Sequence, residues 1–156
     1  MIVVADPNNT RHQEDIKKGA IDFCRHADRS DIMPDVDTEE GRKNLMQAVD
    51  GMMHLKNVTI LLIYENDKCV GGTGVLISPY IFDYTKITSD ELFWWTDKSA
   101  SMHVAISLLK ALKDFIKNCE ADFSIFHHLH NSPAAVSRIY KTMGLRELQT
   151  TYAGVI

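Results

Sequence analysis

Three histidines fall within four residues, His127, His128 and His130, in the run FHHLHN. Imidazoles this close are potential metal ligands, and on an extended strand His128 and His130 would share one face. No cysteine or carboxylate stands at a recognisable ligand spacing from them, and there is no H-E-x-x-H, so they read as a polar rim and no metal is expected. The second suggestive stretch is DKSASMHVAISLLKAL, residues 97–112. A very apolar run, ELFWW, precedes it, and its second half is helical in pattern. A strand, a short loop of small residues and a long helix make a phosphate-binding layout, because a helix start offers unpaired N–H groups and a partial positive charge. This stretch contains no glycine. Cys24, Cys69 and Cys119 lie far apart with no C-x-x-C. They read as reduced thiols in a cytoplasmic setting, and as small apolar core residues rather than nucleophiles. Trp94 and Trp95 are adjacent, so on a strand they face opposite sides. One should be core, and the other should lie against a helix or line a pocket. Met46, Met52 and Met53 read as core filler.

These residues need elements to position them. Residues 1–5 read as a strand closed by the turn cluster Asp6-Pro7-Asn8-Asn9. Thr10 is the expected N-cap of a first helix, with Gln13 as its capping-box partner and Ile16, Ala20, Phe23 and Ala27 along one face. A polar loop over 29–34 follows. Asp37 with Glu40 signals a second helix, lined by Leu45, Val49, Met52 and Leu55. Residues 58–64 (VTILLIY) form an apolar, β-branched strand covered on both faces. After the turn 65–68, residues 69–77 (CVGGTGVLI) make a hairpin with it, and Gly71, Gly72 and Gly74 suggest a bulge or a close backbone approach. Pro79 ends that strand, a loop runs to about Ser89, and residues 91–96 (ELFWWT) form the next strand. The third helix spans about 101–118, with Ala105, Leu108, Leu109, Leu112, Phe115 and Ile116 as its apolar stripe. Residues 122–127 form another strand. Ser132-Pro133 starts a fourth helix, lined by Val136, Ile139, Tyr140 and Met143 and closed by Gly144. The tail, 145–156, has the composition of one or two last strands. The order β-α-α-β-β-β-α-β-α-β places one β-α-β crossover, hence one parallel strand pair, after a run of antiparallel strands.

At 156 residues the chain is expected to be one domain, with 45% apolar and 24% charged residues in an ordinary globular balance. The net charge is −4, from 17 basic and 21 acidic residues, and no basic stripe stands out. Nucleic acid is therefore not an expected partner. No run is long enough for a membrane span, and residues 1–5 do not make a signal peptide.

This order resembles that of the GNAT superfamily of acyl-CoA-dependent N-acetyltransferases, over nearly the whole chain. The best local likeness is HNSPAAVSRIYKTMGLRELQTTYAGVI. The family has an asparagine at the end of the fifth strand, alanine in the next helix, then a tyrosine, then glycine and an apolar residue. Asn131, Ala134 or Ala135, Tyr140, Gly144 and Leu145 stand at those places. The ELFWW strand and the helix holding LLKAL are similar to small GNAT-like proteins carried by phages. The resemblance implies an α/β (mixed α+β) fold in one domain, residues 1–156. Its central sheet would be mostly antiparallel, with a parallel β4/β5 pair and about four helices.

The resemblance also implies chemistry. Acetyl-CoA, as co-substrate, would lie between splayed fourth and fifth strands, along Trp95 and Thr96, with Asn131 bordering it. Its pyrophosphate would rest on amides from Ser101, Met102, His103, Val104 and Ala105. The family loop reads Arg or Gln, two variable residues, Gly, one variable residue, then Gly or Ala. Here Ala100, His103 and Ala105 hold those places, so the cation and the first glycine are replaced. Tyr140 matches the proton donor to the leaving thiolate, a role that suits a phenol with an ordinary pKa of about 10. Glu91 is the candidate general base, with Asp97 as the alternative. The acceptor would be an amine, on a small molecule or a protein, entering beside the first two helices. A homodimer or an assembly with other proteins is left open. The rival reading is a non-catalytic GNAT-fold binding or structural protein, such as a phage virion or host-interaction component.

Overall fold

The computed structural model describes residues 1–26, 33–127 and 134–147. The elements in chain order are β1 (Ile2–Val4), α1 (Thr10–His26), α2 (Glu39–Met53), β2 (Val58–Glu65), β3 (Lys68–Tyr80), β4 (Asp83–Thr96), α3 (Met102–Asn118), β5 (Phe123–Ile125) and α4 (Ala134–Thr142). The strands form one sheet in the order β1-β2-β3-β4-β5. The first three pairings are antiparallel and β4–β5 is parallel. That is the α/β architecture expected from the sequence.

The two faces of the sheet carry separate cores. Leu61, Ile63, Val70 and Val75 pack against Val104, Leu108, Leu109, Leu112 and Ile116 of α3 and Val136 and Tyr140 of α4. Ile60, Leu62, Tyr64, Cys69 and Trp95 pack against Ile16 of α1 and Leu45, Val49 and Met53 of α2. Strand alternation explains the division, since successive residues of β2 go to opposite layers.

The hairpin glycines are spacers for aromatic rings. A Cβ at Gly74 would sit 2.6 Å from the Phe93 ring, and one at Gly72 would sit 3.1 Å from Trp95 Nε1. On the helix side, a Cβ at Gly19 would lie 2.1 Å from the Trp95 ring. Trp95 is therefore clamped between α1 and β3, and it is buried.

Several local expectations are corrected. Pro79 does not end β3, which runs on to Tyr80 and pairs Pro79 with Ile87. Proline is tolerated there because β2 pairs with β3 only as far as Leu76, so the backbone at Pro79 needs no ladder bond on that side. Accordingly β4 starts at Asp83 rather than at 91. The cap of α1 comes from Asn9, whose side chain accepts from Arg11 N (3.0 Å) and His12 N (3.3 Å). Gln13 turns to Pro7 O instead (2.5 Å). Thr38, not Asp37, caps α2 through Gly41 N at 3.1 Å, while Asp37 pairs with Arg25. Leu55 lies beyond α2 and is exposed. Residues 145–147 are not strand, and Ser132-Pro133 and residues 148–156 lie outside the described residues. The Gly144 expectation holds. At φ +86° it lets Leu145 N reach Tyr140 O and Gly144 N reach Lys141 O, a two-bond helix ending that also fixes the turn carrying Tyr140.

Candidate active site

The parallel pairing of β4 with β5 is short. Thr88, Ser89 and Asp90 face Phe123, Ser124 and Ile125, and beyond Asp90 no further β5 residue pairs with β4. Glu91 stands at this divergence. Its carboxylate accepts the His127 backbone N–H at 2.9 Å, so a side chain takes the donor that would otherwise have continued the ladder. The Tyr140 hydroxyl, from α4, donates to the same carboxylate at 3.1 and 3.3 Å, and to His127 O at 3.2 Å. Glu91 is 2% exposed and Tyr140 7%.

A bulge aims Glu91 at Tyr140. Gly74 pairs with Phe93 but Val75 pairs with Glu91, so Leu92 is an extra residue in β4. Counting by twos from Trp95 and Phe93 would put Glu91 under α1 and α2. The extra residue turns it to the layer of Val75, α3 and α4, where Tyr140 lies.

Burial pushes the Glu91 carboxyl from its ordinary 4.5 up to about 7, although the hydrogen bonds from His127 and Tyr140 pull the other way. Burial and the adjoining Glu91 carboxylate raise the Tyr140 phenol well above its ordinary range, so it remains protonated. Phe126 packs edge-on against the Tyr140 ring, with centroids 5.3 Å apart. A buried acid and a phenol bonded to each other, just past the last β4–β5 pair, form a pair that can store and pass a proton.

The other expected residues divide. Asp97 is no base. Lys68 (2.7 Å) and Ser99 (2.7 and 3.0 Å) hydrogen-bond its carboxylate and hold it far below the usual range, so it serves as a turn-forming anion. The Trp95 side chain is core beneath α1, which leaves its backbone for the strand-edge pairing that the resemblance implies. Thr96 ends β4, half-buried. Val104 and Ala105 are buried, packing the first turn of α3 onto the sheet. Asn131, His128 and His130 lie outside the described residues. Cys69 is buried, and burial raises its thiol to about 11, which suits a core residue and not a nucleophile.

The start of α3 is open. Ser101 sits at the N-cap with φ −71° and ψ 158°, and its hydroxyl makes no cap bond. Ala100 N bonds Asp97 O and Val104 N bonds Ser101 O, but among the described residues nothing accepts from the amides of Ser101, Met102 and His103. The His103 side chain, where the GNAT loop has glycine, lies back along the helix with Nε2 3.4 Å from Ser107 Oγ. It therefore does not cover the amides. These donors, and the β5-facing edge of β4 after Asp90, which no described strand pairs, suit the pyrophosphate and the amide-bearing arm of a coenzyme A thioester.

Sequence reasoning missed Asp90. Its carboxylate lies 2.7 Å from His127 Nε2. The parallel register that brings β5 beside β4 is not written in either strand alone.

No family model matches the chain, and no curated protein does. Solved structures do. A putative acetyl transferase from Pyrococcus furiosus matches 100% of this chain and 100% of its own, with a TM-score of 0.76 at 15% identity. A ribosomal-protein-alanine N-acetyltransferase from Brucella melitensis biovar Abortus 2308 matches 100% of this chain and 99% of its own, with a TM-score of 0.71 at 10% identity. A predicted acetyltransferase from Clostridium acetobutylicum, solved with acetyl-CoA, matches over 98% and 94%, with a TM-score of 0.68 at 13% identity. Likeness over whole chains at such identities is likeness of fold.

Proposed function

We propose that this chain, which has the GNAT acetyltransferase fold, transfers an acetyl group from acetyl-CoA to an amine on a small molecule or a protein. The observation that carries the reading is the buried Glu91–Tyr140 pair at the point where β4 and β5 diverge. Burying an ionisable pair gives little stability over apolar packing. Beside the end of the parallel ladder, such a pair suits proton handling. The acetyl-CoA bound to the Clostridium neighbour supports the choice of donor.

Acetyl-CoA as substrate would lie along β4 from Leu92 to Thr96, with its pyrophosphate on the amides of Ser101, Met102 and His103. A neutral amine attacks the acetyl carbon. The C–N bond forms, the C–S bond breaks, and the thiolate leaves with the electron pair. Tyr140 gives its hydroxyl proton to the sulfur. Glu91, about half protonated near pH 7, returns a proton to the phenolate oxygen. The acceptor nitrogen sheds one proton, so the net movement is one proton from nitrogen to sulfur.

The test is release of CoA thiol from acetyl-CoA in the presence of primary amines. Wild-type turnover should fall at least about 100-fold in Tyr140→Phe, while acetyl-CoA still raises the melting temperature of the variant. Undiminished turnover in that variant would remove Tyr140 from the reaction. Ala100 and His103 favour a second reading, a non-catalytic GNAT-fold protein, because they leave the loop without the cation and the first glycine of the family pattern. That reading expects no stabilisation by acetyl-CoA.

A further inference from the structure

We infer that His127, oriented by Asp90, is the base that takes the proton from the acceptor amine, and that the amine approaches from the α1–α2 side of the β4–β5 divergence. The inference rests on the transferase reading above.

Register places the two groups. Asp90 pairs with Ile125 across the parallel ladder, and His127 is two residues beyond Ile125. Phe126, between them, packs into the α3–α4 layer against Tyr140. Alternation therefore sends Ile125 and His127 to the other face. Asp90 shares that face, because it pairs with Leu76, and Leu76 alternates with Val75 of the α3 layer. The imidazole and the Glu91–Tyr140 pair thus lie on opposite faces of the same divergence.

The backbone of His127 joins the two sides. Its N–H is held by Glu91 and its C=O by Tyr140. The imidazole is held in turn by Asp90 through Nε2 at 2.7 Å. A carboxylate on Nε2 fixes the tautomer with the proton on that nitrogen, leaving Nδ1 as the acceptor. Among the described residues nothing bonds Nδ1, and the side chain is 52% exposed, so a substrate can reach it. A solvated His–Asp contact alone contributes little to stability. This one is fixed at its backbone by the acid pair, and Asp90, which holds its ring, is the chain neighbour of Glu91. As the nitrogen bonds to the acetyl carbon, its N–H bond breaks toward His127 Nδ1, the imidazolium is stabilised by Asp90, and the proton then passes to water. Separation by the sheet keeps the base and the acid from neutralising each other directly.

The experiment uses the full chain with acetyl-CoA and three amine probes, butylamine, spermidine and a lysine-containing peptide, following CoA release. Substitutions at His127 leave its backbone bonds to Glu91 and Tyr140 in place. In His127→Ala, kcat should fall about 100-fold with the KM for acetyl-CoA unchanged, and added imidazole should restore a measurable part of the rate. Asp90→Asn should show a smaller fall, about tenfold, without imidazole rescue. Turnover in His127→Ala within about twofold of wild type overturns the inference and leaves the transferase reading standing. A loss that imidazole does not restore marks a structural role and also overturns it. If wild type is neither stabilised by acetyl-CoA nor active with any probe, the transferase reading itself fails, and this inference with it.

Discussion

In the proposed reaction the buried Glu91–Tyr140 pair and the exposed start of α3 would take part with opposite materials. At the pair, everything depends on side chains: a carboxylate, a phenol, and a one-residue bulge at Leu92 that brings them to the same face. At the helix start, the working groups are the amides of Ser101, Met102 and His103, whose direction is set by the helix and not by residue identity. The difference explains how the loop can depart so far from the GNAT pattern. A backbone site needs space more than it needs particular residues, and His103 leaves that space by folding toward Ser107. The pair has no such freedom.

The sharpest way to break this contrast is at the side chains. Tyr140→Phe should lower kcat by about 100-fold or more, roughly 3 kcal/mol of barrier, with acetyl-CoA affinity kept. Next in size is the effect of charge at Glu91. Its folded pKa is raised, so the native state keeps the proton to about pH 7 while the unfolded chain releases it near 4.5. Its contribution to stability is full below about 4.5 and is lost as pH rises through about 7, by about 3 kcal/mol in all. Glu91→Gln should therefore match wild type at low pH and exceed it by up to that amount at pH 8, in urea melts across the range. A difference that does not vary with pH would contradict the burial argument.

The backbone site should respond less, and in a different pattern. Met102 follows the N-cap, where proline fits a helix and removes only one N–H. Met102→Pro should keep stability and weaken acetyl-CoA about tenfold, the cost of one hydrogen bond to a charged group, measured by calorimetric titration. His103→Ala should be smallest, within about twofold in affinity. A large change in either direction at His103 would show that the side chain, and not the amide, contacts the phosphates.

The sequence carried the element order as far as α4, the parallel crossover, the start of α3 and the helix ending at Gly144, because each rests on local periodicity or a local cap. Tyr140 and Glu91 were both legible as candidates, but their bond was not. Strict alternation would have put Glu91 with Phe93 and Trp95, and nothing in ELFWWT signals the extra residue at Leu92. The length of β4 was hidden for a related reason. Pro79 is a strand breaker only where the strand on its nitrogen side needs an N–H, and β2 stops pairing before it. Trp95 was named for the cofactor through the strand edge the resemblance implies, and its side chain proved to be the core tryptophan of the adjacent pair. Its burial depends on Gly19, 76 positions away, leaving room for the indole. Asp97 looked free because Lys68 reaches it across the sheet.

Thermal melting with and without acetyl-CoA tests the central claim, that bare helix amides at the start of α3 hold the proposed acetyl donor. At a hundred times its Kd the ligand should add about 2.7 kcal/mol, a rise of roughly 5–10 °C for a domain of this size, in wild type and Tyr140→Phe alike. No rise at millimolar acetyl-CoA would contradict the account.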